Sequence, residues 1–129
     1  MNIIEYLKTD TNIDYLQRLN TNEFEDGTYD IQTKQPISFK SGFQATFQQL
    51  KDNYTKKQFM RLIQKYASET DGKYYIGKFN NEIEVSFHFE NETDAIQICK
   101  LFNQVSYWNW NTMDEIPNKY YRVGLGNDY

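Results

Sequence analysis

One cysteine and one histidine are all that 129 residues offer to sulfur or imidazole chemistry. Cys99 has no partner for an intrachain disulfide, and one Cys with one His falls short of a structural zinc set, so no metal site and no catalytic thiol pair is expected. A chain without disulfides points to a reducing compartment, the cytoplasm. Proline occurs twice and glycine six times, and no low-complexity segment or internal repeat interrupts the chain. Long apolar runs are also missing: nothing approaches the ~20 residues of a membrane span. No basic segment followed by an apolar stretch opens the sequence, so neither a secretory leader nor a membrane partner is expected. An excess of positive charge is absent too. Fourteen Lys and Arg face 18 Asp and Glu, a formal charge of −4, which argues against nucleic acid binding over the whole surface.

What the chain has in quantity is aromatic rings: 11 Tyr, 9 Phe and 2 Trp. Each buries roughly 150–250 Å², so a core can form although only 39% of residues are hydrophobic. One domain over residues 1–129 is the expectation.

Periodicity places the elements. Ile13, Leu16 and Leu19 stand near helical spacing, with Thr11 or Asn12 available as a cap. Asp26-Gly27 is a turn signal. Gly42-Phe43-Gln44-Ala45-Thr46-Phe47-Gln48 alternates apolar and polar, as a strand with one buried face does. Thr55 then caps a helix in which Phe59, Leu62, Ile63, Tyr66 and Ala67 share one side. A strand over 74–79, a turn at Asn80-Asn81 and a strand from Ile83 to Phe89 form a hairpin. Thr93 opens a second helix with Ala95, Ile98, Cys99 and Phe102 on one face, followed by a strand over about 104–110. That order predicts an α+β fold: a βαββαβ split sheet of ferredoxin-like form over residues 39–112. Residues 1–38 read as an N-terminal helical arm and 113–129 as an irregular tail.

Few residues in this frame carry chemistry. Alternation sends Ile83, Val85, Phe87 and Phe89 toward the helices and Glu84, Ser86 and His88 to the other face. Ser and His two positions apart on one strand point in parallel, roughly 6.5–7 Å apart, which opposes proton transfer between them. No Gly-x-Ser-x-Gly elbow supports a hydrolase. Cys99 belongs to an apolar helical stripe, where thiols act as small hydrophobes. Glu23, Glu25, Asp26 and Asp30 lack the alternating spacing of a calcium loop and read as a solvated acidic loop. Gly124-x-Gly126 is too short for a phosphate loop and precedes no helix. No catalytic residue and no cofactor is expected.

Two surfaces remain. Lys57, Arg61 and Lys65 repeat at i, i+4 and i+8 on one helix side. Such a row repels itself and serves either as a solvated face or as a contact for nucleic acid or an acidic partner. The sheet face away from the helices carries Gln44, Thr46, Gln48, Ser86, His88, Ser106 and Trp108. It lacks the central-strand aromatics with which RNA-binding sheets stack bases. Whether residues 1–38 or the tail cover it is left open by the pattern. Charge is segregated along the chain. Residues 1–30 hold seven acidic and two basic side chains, residues 31–66 seven basic and one acidic, and residues 67–129 ten acidic and five basic.

The runs Gly42 to Gln48, Ser86-Phe87-His88-Phe89 and Asn103 to Trp110, with the Asn-, Lys-, Ile- and Tyr-rich composition, resemble small proteins encoded on phages and conjugative elements of AT-rich Gram-positive bacteria. A share of those are anti-defence factors, including inhibitors of CRISPR nucleases and of restriction enzymes. The resemblance implies a non-enzymatic inhibitor that occludes a nucleic-acid-handling protein; a charge of −4 allows only local mimicry of DNA. The alternative is a nucleic-acid-binding accessory protein using the Lys57, Arg61 and Lys65 stripe. Residues expected at partner contacts are these three with His88, Trp108, Trp110, Tyr120 and Tyr121.

Overall fold

In the computed structural model, which describes residues 7, 12–47, 58, 61, 65, 73–80 and 82–124, a helix starts where Asn12 turns its side chain back onto the chain. Its Oδ1 accepts from the Asp14 amide at 2.7 Å. Helix α1 runs Ile13–Leu19, with Asp14 in its first turn and Arg18 in its last, each complementing the helix dipole. Tyr15, Leu16 and Leu19 are its buried side. Strands follow as β1 (Gly27–Tyr29), β2 (Phe43–Phe47), β3 (Tyr75–Phe79) and β4 (Glu82–Phe89). Helix α2 (Glu92–Leu101), β5 (Ser106–Asn109) and β6 (Asp114–Pro117) complete the order. The N-cap of α2 is Asn91, which accepts from the Thr93 amide at 2.8 Å, in place of the expected Thr93.

The α+β class holds, but the ferredoxin-like βαββαβ sheet is overturned. The strands form one six-stranded sheet in the order β1-β3-β4-β2-β5-β6, every neighbouring pair antiparallel. The arm contributes β1 to one edge and the segment read as a tail contributes β6 to the other. The sequence suggests β1 only as an irregular strand over Thr28 to Ser38 broken near Pro36, where the structure has Gly27–Tyr29, and it shows nothing of β6, for a physical reason: three residues cannot display a period of two, and Asp114-Glu115-Ile116-Pro117 carries a proline and is mostly exposed. An edge strand tolerates both, because one side needs no ladder partner. The β3–β4 turn uses Asn80 at φ 49° and the β5–β6 turn Met113 at φ 58°.

Register sets which side chains share a face. Phe43 opposes Phe89, Ala45 opposes Phe87 and Phe47 opposes Val85, so the alternating aromatics of β2 and β4 lie together against α2. Phe47 stacks on Phe102 at 4.3 Å and on Phe87 at 5.9 Å, the three rings nearly parallel. Leu16, Leu19, Ile76, Ile98 and Cys99 close the same core.

Cys99 is fully buried there, its thiol lying 3.4 Å from the Ser106 carbonyl oxygen. Burial pushes its pKa up to about 12, so almost no thiolate exists at neutral pH. Native protein is therefore expected to react with a thiol reagent only as fast as it unfolds, with full reaction in denaturant. Rapid stoichiometric labelling of the native state contradicts this core.

Candidate functional site

The polar face of the sheet is the inner one. Gln44 on β2 donates through Nε2 to the Thr28 hydroxyl on β1 at 2.8 Å, although β4 and β3 lie between those strands. Strands stand roughly 4.8 Å apart, so a flat sheet would leave the two residues beyond side-chain reach. The sheet is curled, with Gln44, Thr28 and Ser86 on the concave side. Strand β3 contributes Gly77 to that side, and its missing side chain leaves room next to Glu84.

One end of this concavity is filled. His88 stacks on Phe39 at 3.8 Å and 9°, and its Nε2 donates to the Ser41 carbonyl at 2.7 Å. Phe39 also packs against Tyr75 at 5.3 Å and Trp110 at 5.6 Å. Gln44 ties this end together. Its Oε1 accepts from Trp110 Nε1 at 2.8 Å, and its amide also donates to the Ser86 hydroxyl. Ser86 and His88 are thus each held by another group, and neither is set up to activate the other.

The rest of the concavity is a cavity of ≈ 610 Å³, within the roughly 300–1,000 Å³ range of ligand pockets. Thr46, Glu84, Trp108, Trp110 and Glu115 line it, with Glu25 and Asp26 at the rim. Trp108 and Trp110 meet at 6.2 Å and 80°, forming an aromatic corner. Glu115 is the cross-strand partner of Trp108 and accepts from the Ser106 hydroxyl. Among the described lining residues the one cation is Lys78, on the opposite face of β3, and its amine donates to the Phe24 carbonyl. A cavity with four carboxylates and no cation directed into it from these residues is complementary to a positively charged group. Among the described residues, no set of three His, Cys, Asp or Glu is placed to hold a metal ion.

Glu84 is the half-buried member of the four. Burial raises its pKa above the ordinary 4.5, Glu82 on the same strand face raises it further, and the Thr46 hydroxyl bond partly opposes them. The folded chain therefore binds a proton more readily than the unfolded chain. This contribution to stability is fully present below 4.5 and is lost as pH rises through the raised folded value. Glu84→Gln, which can still accept from Thr46, is expected to raise the melting temperature at neutral pH. The gain should fade to nothing below 4.5; a gain that does not depend on pH would place Glu84 in water.

The expected contact residues separate. Trp108 and Trp110 line the cavity. His88 is buried behind Phe39, so its expected surface role gives way to a packing one, because Phe39 and Ser41 use its ring and its N–H. Arg61 and Lys65 are exposed on helical backbone, while Lys57 lies outside the described residues. Tyr120 and Tyr121 are exposed on a different surface. There Lys100 and Lys119 sit 4.6 and 5.2 Å from the Tyr120 ring, and Asn103 clamps the Arg122 backbone through two hydrogen bonds. Sequence reasoning missed Glu84 and Glu115 as site residues. Alternation had put Glu84 on the correct face, but nothing local distinguishes Glu115 from a solvated tail. Comparison of the chain with family models, with curated proteins and with solved structures gives no match. No helix among the described residues is long and apolar enough to cross a membrane.

Proposed function

We propose that this protein is a non-enzymatic binding protein of the cytoplasm that acts by occlusion, setting its concave sheet face against the basic surface of a nucleic-acid-handling protein. A CRISPR nuclease is the first partner to test. The observation that carries this reading is the cavity's composition: Glu25, Asp26, Glu84 and Glu115 around two half-buried indoles. Proteins that hold nucleic acid line their channels with Lys and Arg, so a carboxylate-rich face complements such a channel and competes for it. Local clustering of four carboxylates also suits a chain whose total charge is only −4.

The test is affinity capture from host lysate, with and without nuclease treatment, using wild type and the Glu25→Lys, Asp26→Lys, Glu115→Lys triple variant. These three side chains are exposed, so folding should be unaffected. The expected result is a protein partner retained after nuclease treatment and bound about 100-fold more weakly by the variant, chiefly through slower, more weakly salt-dependent association. Equal affinity for the variant overturns the reading.

A second reading, a nucleic-acid-binding accessory protein, is favoured by the exposed Lys100, Lys119, Tyr120 and Tyr121 surface. Charged heads beside exposed rings are what single strands bind. Binding of a random oligonucleotide no tighter than about 100 µM at physiological salt rejects it, whereas micromolar binding lost in Lys100→Glu, Lys119→Glu supports it.

A further inference from the structure

We infer that the corner between Trp108 and Trp110 is a subsite for a guanidinium group, presented by an arginine side chain of a protein partner. This rests on the occlusion reading and names the side chain that the concave face recognises. The two indoles meet at 80°, so they form two walls rather than a closed stack. Trp110 cannot turn away: its N–H is bonded to Gln44, its backbone amide donates to the Gly42 carbonyl at 2.9 Å, and Phe39 packs on its ring. Trp108 is held in the sheet opposite Gln44 on one side and Glu115 on the other. The Glu115 carboxylate is oriented by the Ser106 hydroxyl on the same sheet face. A flat cation lying on an indole can therefore turn its N–H edge to a carboxylate one strand away.

Guanidinium meets both demands. It is planar, stacks on aromatic faces and bonds carboxylates through a fork of donors, and it sheds water more easily than an ammonium. Ammonium groups are attracted to a ring face and to a carboxylate as point charges but cannot lie flat on an indole, and the carboxylates repel anions. Neutral planar amides satisfy the stacking and leave the carboxylate unpaired.

The chain's only two tryptophans are the two walls, so intrinsic fluorescence excited at the red edge of indole absorption reports on this subsite without a label. Full-length protein is titrated with acetyl-arginine amide, acetyl-citrulline amide, acetyl-lysine amide and spermidine. The expected result is a saturable change with the arginine compound, half-complete at about 1–10 mM, the range of a single-side-chain contact. Citrulline is expected to bind at least tenfold more weakly, and Glu115→Gln to weaken arginine about tenfold. Trp108→Phe, which keeps Trp110 as reporter, should weaken it less; unchanged melting curves verify that both variants fold. An equal response to citrulline, tighter binding of lysine or spermidine, or indifference to Glu115→Gln overturns the assignment. If arginine fails while partner capture still depends on the rim carboxylates, the occlusion reading stands and this one falls. If capture fails as well, both fall.

Discussion

Phe87→Ala is expected to cost about 3–5 kcal/mol of folding stability, a large part of the roughly 5–15 kcal/mol that holds a domain together. Phe87 is fully buried at the centre of β4. Its ring lies between those of Phe47 at 5.9 Å and Phe89 at 6.3 Å, with Tyr74 at 6.5 Å. The residue directly opposite on β2 is Ala45, too short to fill the space that the lost ring leaves. Phe47 and Phe89 belong to inner strands of the sheet, so the site cannot collapse and the cavity term adds to the lost transfer energy. Thermal melting should show a fall of roughly 10–20 °C. A variant melting with the wild type would mean that β4 presents its other face to the core.

Gly42→Ala is expected to destabilise by about 3 kcal/mol and to disturb the concave face at the same time. Gly42 sits at φ 93°, and a β-carbon there would lie 2.5 Å from His88 Nε2 and 2.6 Å from the Phe89 carbonyl oxygen. The first atom belongs to a ring stacked on Phe39 and the second to the backbone of a central strand, so neither yields. The Gly42 carbonyl also accepts the Trp110 amide. Displacing it moves one wall of the aromatic corner, and tryptophan emission should shift along with the melting temperature. Gly77→Ala is the control: its added carbon meets Glu84 Oε2 at an ordinary 3.4 Å, inside the cavity. Its expected cost is below about 1 kcal/mol. Equal losses at the two glycines would remove steric crowding as the cause at Gly42.

How far the site could be read from sequence varies residue by residue. Ile83 to Phe89 alternates over seven positions, and this repeated pattern assigned Ser86, His88 and Glu84 to the face on which the structure has them. The same pattern is silent on what covers that face. Phe39 falls in a stretch without periodicity, yet it decides that His88 is buried and that the open part of the face begins further along. The sequence offers Trp110 only as a residue expected at a partner contact, while its orientation depends on Gln44, 66 positions away. Glu115 faces the aromatic corner only because β6 pairs with β5 and sets it opposite Trp108.

By itself, then, the sequence determined the α+β class, the apolar and polar faces of β2 and β4, the buried stripe of α2 and the inert environment of Cys99. These follow from local spacing, since side chains two apart on a strand or three to four apart on a helix share a face whatever the rest of the chain does. Tertiary structure alone decided the six-stranded order, the edge positions of β1 and β6, and the curl that turns a polar face into a cavity. Those depend on which distant segments pair and how strongly the sheet bends. Short edge strands carry no period, and the Gln44–Thr28 bond across two intervening strands forms only once the whole sheet has closed around it.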